Sequence, residues 1–540
     1  MTTKVSYDYI VIGAGSAGCV VANRLSENGR FSVLLIEAGK HHKSIILNMP
    51  AALGLPLEST KFNWGFVSQP DQGVNGNTSD QHRGKVLGGS SSINGMVFVR
   101  GNPRDYERWA ASGLPDWSYK HCLPYFKKME SFNGGDETYR GRTGPLHVHQ
   151  CKADNELYQS FLGAGQDYGL KFNQDQNGKE QEGVNIAQAS TYKGERWSTA
   201  RAYLDPVIDR KNLTIAITSL VKKVCIEDKK ATGVIYESAG SDIFAEAREE
   251  VILCAGAFGS PQLLMLSGVG DRDELREHGI ETVHHLPGVG KDLQDHAAVP
   301  IQYTTKRNVS PTFQLSTHIG RGYVGARWLL AKAGLGASNY FEVGAFFKGN
   351  ESADYANLQH EFFPMIGEFY RGQARVNPGF QYFTSVMRPQ SRGSVTLRSK
   401  DPSAAPVIKL NFLDAYEDVR QLREGIKVTR EMIAQRSWSA LRGVEVSPGI
   451  DIQKDSEIEA WVRENAGTGY HAVSTCRMGV DEMAVTDNEG RVRGLGKLRI
   501  IDASVMPSLV TGNTNAPTIM LAEKLVDKVL GKALPPANIM

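Results

Sequence analysis

The residues whose types and spacing could do chemistry begin at Gly13. Gly13-Ala14-Gly15-Ser16-Ala17-Gly18 is a G-x-G-x-x-G run, and an acid, Glu37, follows about twenty residues later. Such a backbone cradles a pyrophosphate: Gly13 allows the tight turn, Gly15 the approach of the phosphates and Gly18 the close packing of a helix whose positive N-terminus faces the anion. A carboxylate at Glu37 accepts from the adenosine ribose hydroxyls and repels a 2′-phosphate, which selects against NADP. The chemistry indicated is redox chemistry on a bound dinucleotide, with NAD and FAD both open at this point. A second run, 84–95 (GKVLGGSSSING), is built from residues small enough for backbone to lie flat against a planar ring. Hydride transfer from a substrate that also sheds a proton needs a group to take that proton, a task suited to imidazole. The chain holds thirteen histidines, and composition does not choose among them.

The elements that must position these groups are legible around the glycines. Residues 7–12 (YDYIVI) have the β-branched and aromatic character of a buried strand. Ser16–Ser26 has helical periodicity through Cys19, Val20, Ala22 and Leu25, and 31–36 resumes a strand pattern. This is one βαβ unit. Gly, Asn, Asp and Ser at 70–89 and again at 131–144 mark loops. Strands are expected at 221–227, 233–236, 250–255, 395–397 and 407–412, and helices at 418–435 and 456–465. A last helix over 519–530 sets Met520, Leu521, Leu525, Val526 and Val529 on one stripe, with Glu523, Lys524 and Lys528 off it. No repeat or low-complexity segment interrupts the chain.

Length and composition bound the rest. At 540 residues, two or more structural regions are expected. Hydrophobic residues at 41% and charged residues at 22% fit a folded, soluble protein. Sixty-one Lys and Arg against fifty-nine Asp and Glu give a charge of +2, no basis for a nucleic-acid partner. No apolar run would span a bilayer and residues 1–7 lack a signal-peptide pattern, so a cytoplasmic protein is expected. The six cysteines are scattered, without the spacing of a zinc set or a disulfide framework. No metal is expected.

Through 84–101 the sequence resembles the first signature segment of the glucose-methanol-choline (GMC) family of flavoprotein oxidoreductases, and 256–264 continuing to 267–270 resembles the second. Residues 287–290, 293–296, 388–393 and the C-terminal region extend the resemblance to essentially the whole chain. It implies an α/β fold, α+β overall. A Rossmann-like FAD-binding domain, discontinuous in sequence, would take 1–150, 206–305 and 461–540, the last with the catalytic residues. An antiparallel-sheet-plus-helices substrate domain would take 151–205 and 306–460. The cofactor implied is FAD, its ADP half on the first βαβ unit and its ring beneath 88–96. Its contacts carry over to Gly13, Gly15, Ser16, Ala17, Gly18, Glu37, Ala38, Val86, Gly88, Gly89, Ser90, Asn94, Gly95, Met96 and Val97. Val221, Ala255, Asp502, Ala503, Asn515, Pro517 and Thr518 complete the set. Some members attach FAD covalently through a His just before the equivalent of Asn94; Ile93 stands here, so FAD is expected to be non-covalent.

The same resemblance places the family's active-site histidine on His471, in 470–479 (YHAVSTCRMG), where Ala472 and Ser474 replace the Pro and Gly of most relatives. The second catalytic position, His or Asn in the family, falls on Asn515 within 512–518 (GNTNAPT). An asparagine can hold an alcohol oxygen but cannot act as a base, so proton removal rests on His471. Asn515 and Pro517 also read as a helix start, whose dipole would face the flavin. His296 is expected to tie a loop to the cofactor domain. The activity implied is a FAD-dependent dehydrogenase oxidising a primary alcohol to an aldehyde by hydride transfer to flavin N5, with a quinone or other respiratory carrier as acceptor, in the cytoplasm or peripherally at the inner face of the membrane. The alternatives are an oxidase, a choline or hydroxy-acid dehydrogenase, and a lyase of hydroxynitrile-lyase type. Residues 309–361 with Trp64, Phe362, Phe363 and Tyr370 could line a pocket for an uncharged alcohol; Glu361 or Glu368 would favour choline, and Arg371 or Arg375 a hydroxy acid.

Overall fold

The apolar run that ends at Gly13 is the buried end of a strand, Thr3–Ile12, at the centre of a seven-stranded sheet. Beside it lie Val33–Ile36 and then Leu213–Ala216 on one side, and Ser241–Leu253 on the other, all parallel. Ser241–Leu253 is longer than the 250–255 expected. Its first half pairs antiparallel with Lys230–Ser238, which carries Ser219–Glu227, and its last three residues pair parallel with Leu498–Ile500. These counts refer to the described residues: the computed structural model covers 3–350, 352–370 and 373–539.

A second seven-stranded sheet is antiparallel throughout. Its order is Arg442–Ser447, Ala297–Thr305, Phe380–Val386, Leu358–Phe363, Val343–Phe347, Gly183–Ile186, with Gly467–Thr468 on the start of Ala297–Thr305. Helices Glu156–Tyr168 and Tyr416–Ala434 cover one face, over a core where Phe380 stacks on Trp438 at 4.2 Å and Phe161 packs on Tyr382. The other face carries Glu361, which reaches Asn513. Ala297–Thr305 and Gly467–Thr468 were expected with the nucleotide half, and both pair in the second sheet.

The final helix, Asn515–Val529, packs between helices Ser16–Ser26 and Tyr119–Met129. Flanked on two sides, it is buried all round, which the single apolar stripe did not anticipate. Glu523 accepts from Arg24 and Tyr203 and pairs with Lys128, and Lys524 donates to His121 O. No helix among the described residues is long and apolar enough to cross a membrane.

Candidate active site

The first glycine run closes a cradle in which side chains have no room. Gly13 sits at φ +93°, and a Cβ on Gly18 would lie 1.8 Å from the Gly13 carbonyl oxygen. The 84–95 segment folds onto this turn: Gly88 N donates to Ala14 O at 2.7 Å, and a Cβ on Gly89 would fall 2.6 Å from Gly15 Cα. Two helix N-termini converge here. Ser16–Ser26 and Asn515–Val529 both start without a side-chain cap, leaving first-turn N–H groups free for an anion, and Ser16 Oγ donates to Asn515 Oδ1 at 2.7 Å to tie the two starts together.

Glu37 ends the second strand, buried, accepting from Ala14 N and Gly39 N; burial pushes its carboxyl up to about 7 despite those bonds. Asp502 accepts from Gly256 N, Ser260 Oγ and Ser504 N, linking the starts of two further segments, with Ala255 at one and Ala503 at the other. Ala17, Val86 and Val221 are buried around the cradle, and Ala38 follows Glu37. Ser90 Oγ accepts from Gly84 N, Met96 takes φ +61°, and Val97 bridges to Ala189. Pro517 and Thr518 form the first turn of the last helix. A glycine-lined slot with two uncapped helix starts and a buried carboxylate at its far end fits the pyrophosphate and ribose of FAD.

The catalytic end has a continuous hydrogen-bonded chain. His296 Nε2 lies 3.2 Å from Met387 O, its Nδ1 lies 2.9 Å from His471 Nδ1, and His471 Nε2 lies 3.0 Å from Asn513 Nδ2. A carbonyl only accepts, so His296 carries its proton on Nε2 and presents a lone pair at Nδ1. His471 must then be protonated at Nδ1 and unprotonated at Nε2. Burial, then the neighbouring His296 and Arg83, hold the His471 pKa well below the imidazole range, and burial alone brings His296 to about 4. Both rings are neutral at pH 7, and a basic lone pair points at Asn513. Asp295 fixes the backbone, accepting from His471 N and Thr468 Oγ1. Ser474 takes φ +74°, the conformation glycine adopts freely, and its buried Oγ has no partner among the described residues.

The partner of His471 is thus Asn513, not Asn515. The two asparagines flank Thr514, but Asn515 is the first residue of the helix and turns to Ser16, at the cofactor end. His296 does more than tie a loop, since it sets the tautomer of His471. Asn513 Nδ2 also donates to Glu361 Oε1 at 3.1 Å, while Asn513 Oδ1 is buried without a partner among the described residues.

Strand alternation separates the expected substrate residues. Glu361 and Phe363 share a face of Leu358–Phe363, Phe363 packing on Phe341 and Tyr340. Phe362 points the other way, fully buried among Phe161, Phe380, Tyr382 and Trp438. It is core, not pocket. Trp64 stacks on Phe66 beside a short hairpin, with Lys85 Nζ 4.6 Å from its ring. Glu368, Tyr370 and Arg375 lie on a hairpin described by its backbone pairing alone, and Arg371 lies outside the described residues. A small cavity of about 10 Å³, room for about one water, lies against Glu361, bounded by Val97, Phe341, Phe346 and Asn185, both of whose amide atoms are buried without a partner among the described residues. Arg196 also carries no sequence signal: buried and without a carboxylate, it donates to Ser91 O, Asn94 O and Asn94 Oδ1 and so braces the 91–94 turn.

Comparison with known proteins matches this architecture. The GMC oxidoreductase N-terminal profile matches residues 7–298 and the C-terminal profile residues 389–522. The chain belongs to the GMC oxidoreductases. This GMC oxidoreductase is 46% identical to an oxygen-dependent choline dehydrogenase of Chromohalobacter salexigens over all of this chain and 98% of the relative, and 44% identical to one of Photobacterium profundum over 99% and 95%. Among solved structures, pyridoxine 4-oxidase from Mesorbium loti superposes with a TM-score of 0.87 at 27% identity, covering 97% of this chain and 99% of that one. A formate oxidase superposes at 0.92 and 25%, covering 98% and 99%. The protein is a FAD-dependent oxidoreductase acting on CH–OH donors.

Proposed function

We propose that the protein oxidises a small primary alcohol to its aldehyde, with His471 as base and Asn513 as the donor that holds the alcohol oxygen. The observation that carries this reading is the direction of the hydrogen bonds around His471. With Nδ1–H committed to His296, only Nε2 is free to take a proton, and Nε2 faces Asn513. An alcohol entering between the two side chains replaces their mutual bond: its hydroxyl proton goes to Nε2 and its oxygen accepts from Asn513 Nδ2. The imidazolium so formed keeps its Nδ1–H bond to the His296 lone pair, which steadies the charge. FAD, when bound, supplies the acceptor for the hydride leaving the alcohol carbon. Replacing His471 by Asn should slow flavin bleaching by alcohol about 10²–10⁴-fold. Unchanged stopped-flow bleaching would remove His471 from the role.

Substrate choice rests on Glu361. Its carboxyl is buried, its pKa raised by that burial, and its hydrogen bond is from the neutral Asn513, with no cation beside it among the described residues. A buried acid so placed favours a positively charged group beyond the reacting carbon, as in choline, the substrate in the names of the relatives. Choline should be preferred over its uncharged isostere 3,3-dimethylbutan-1-ol by at least about tenfold in kcat/KM, and Glu361→Gln should erase the preference. Equal use of both alcohols by the unaltered enzyme would refute the cationic reading and leave the alcohol reading standing.

FAD is held without a covalent bond in this proposal, because the hydrocarbon side chain of Ile93 packs into a cluster with Leu47, Phe62 and Val86 and offers no nucleophile. The acceptor we take to be a quinone or similar carrier reached from the cytoplasm. The oxidases among the structural neighbours make peroxide yield under air the first assay to run.

A further inference from the structure

The helix His318–Ala331 is odd as a piece of a globular fold. It contains three glycines, each costing roughly 1 kcal/mol of helix propensity, and buries only Val324 and Trp328. Its large apolar side chains point outward: Ile319 is 87% exposed, Leu330 89% and Tyr323 60%, with Phe313 just before the helix at 67%. At about 100° per residue, positions 319, 323, 326 and 330 form one stripe no more than roughly 60° wide, with Val324 and Trp328 on the opposite side. No described residue of the chain covers that stripe.

The charge pattern says what does. From 296 to 341 there is no Asp or Glu, while Lys306, Arg307, Arg321, Arg327 and Lys332 fall in the same stretch. Arg307 pairs with Glu156 and Lys332 with Glu195; Arg321 and Arg327 have no acidic partner among the described residues. We propose that this helix, with Phe313, is a docking face that lies on an anionic lipid bilayer, its apolar stripe in the acyl boundary and Arg327, at the margin of the stripe, among the headgroups, with Arg321 adding to the positive field of the face. A second copy of the chain is the poorer occupant, because two-fold pairing of this face would set cations against cations, and one short helix falls short of the roughly 800 Å² per partner of a stable dimer.

The face also has a place in the working geometry. Leu315 and Leu335, on either side of the helix, pack on the cluster of Leu53, Tyr340, Phe363 and Met365, and Phe341 of that cluster sits against Gly95. A docked molecule would hold the aromatic side of its site toward the lipid.

The test is flotation of the FAD-loaded enzyme with phosphatidylcholine vesicles, with and without phosphatidylglycerol. The expected result is binding to the anionic vesicles, lowered at least about tenfold by omitting phosphatidylglycerol, by raised salt, by Ile319→Glu with Leu330→Glu, and by Arg321→Glu with Arg327→Glu. Flavin absorbance and dye-coupled alcohol oxidation should be unchanged in both variants. Wild-type enzyme that stays in the soluble fraction with anionic vesicles overturns the proposal. So does equal binding by the variants, or a dimer in light scattering that Ile319→Glu with Leu330→Glu converts to monomer.

Discussion

At the scale of single residues, the division of labour between Asn513 and Asn515 is the sharpest consequence of the structure. Asn513→Ala removes the donor beside His471 Nε2 and should cost about 10²–10³ in kcat with FAD still retained. Asn515→Ala removes the acceptor of Ser16 Oγ at the join of two helix starts; it should speed FAD loss on dilution while the flavin-saturated enzyme keeps kcat within about tenfold. Rates and flavin retention measured on both variants separate the roles, and reversed phenotypes would restore Asn515 to the centre. Asn-Thr-Asn-Ala-Pro contains two candidates two residues apart, and only the position of the first helical turn decides which one faces inward. His471 could be singled out from thirteen histidines through the motif around it. The acceptor role of His296 depends on a carbonyl ninety-one residues away in sequence, Met387 O, which no local pattern reveals.

At the scale of elements, the turn at 472–476 places a strained residue next to the chemistry. Ser474 adopts φ +74° and buries an unpartnered hydroxyl, so Ser474→Gly relieves both and should raise stability by about 1–2 kcal/mol, read as a higher Tm of the FAD-loaded protein. A lowered Tm would mean that the hydroxyl has a partner. Periodicity located the βαβ unit well: the helix Ser16–Ser26 lies where its apolar face predicts, and the helices expected at 418–435 and 456–465 are Tyr416–Ala434 and Asp455–Asn465. It failed where tertiary contacts override the pattern. The stripe on the last helix implied a solvent side for Glu523 and Lys524, and both are buried because a second helix covers them. The period of two along LQHEFF would have separated Phe362 from Glu361, since adjacent strand residues face opposite ways.

At the scale of the whole molecule, three histidines are held neutral by burial: His296 at about 4, His360 at about 3, and His471 well below the ordinary value of 6.5. The unfolded chain takes up protons at these sites as pH falls through 6.5, and the folded chain does not. The part of the stability that these rings carry is therefore full above about pH 6.5 and falls as the pH drops toward 4, while buried Glu37, raised to about 7, acts in the opposite direction over the same range. In thermal melts of the FAD-loaded enzyme between those limits, His360→Asn should lose less stability than the parent as the pH falls; an equal loss would show that the His360 ring is solvated. The two-part, discontinuous plan was legible only through the family motifs, because strands 241–253 and 498–500 meet across some 250 residues of chain that periodicity cannot bridge.

The bond between Ser16 and Asn515 joins positions 499 residues apart. On a ribosome adding roughly 5–20 residues per second, the first glycine turn leaves the exit tunnel about 25–100 s before its partner helix exists. A nascent chain cannot close the flavin slot, so cofactor capture must follow release. Any shortage of flavin would then accumulate full-length apoprotein whose last helix is held by its packing on Ser16–Ser26 and Tyr119–Met129 while its first turn lacks the anion it faces, and that turn is where the apoprotein should fray first.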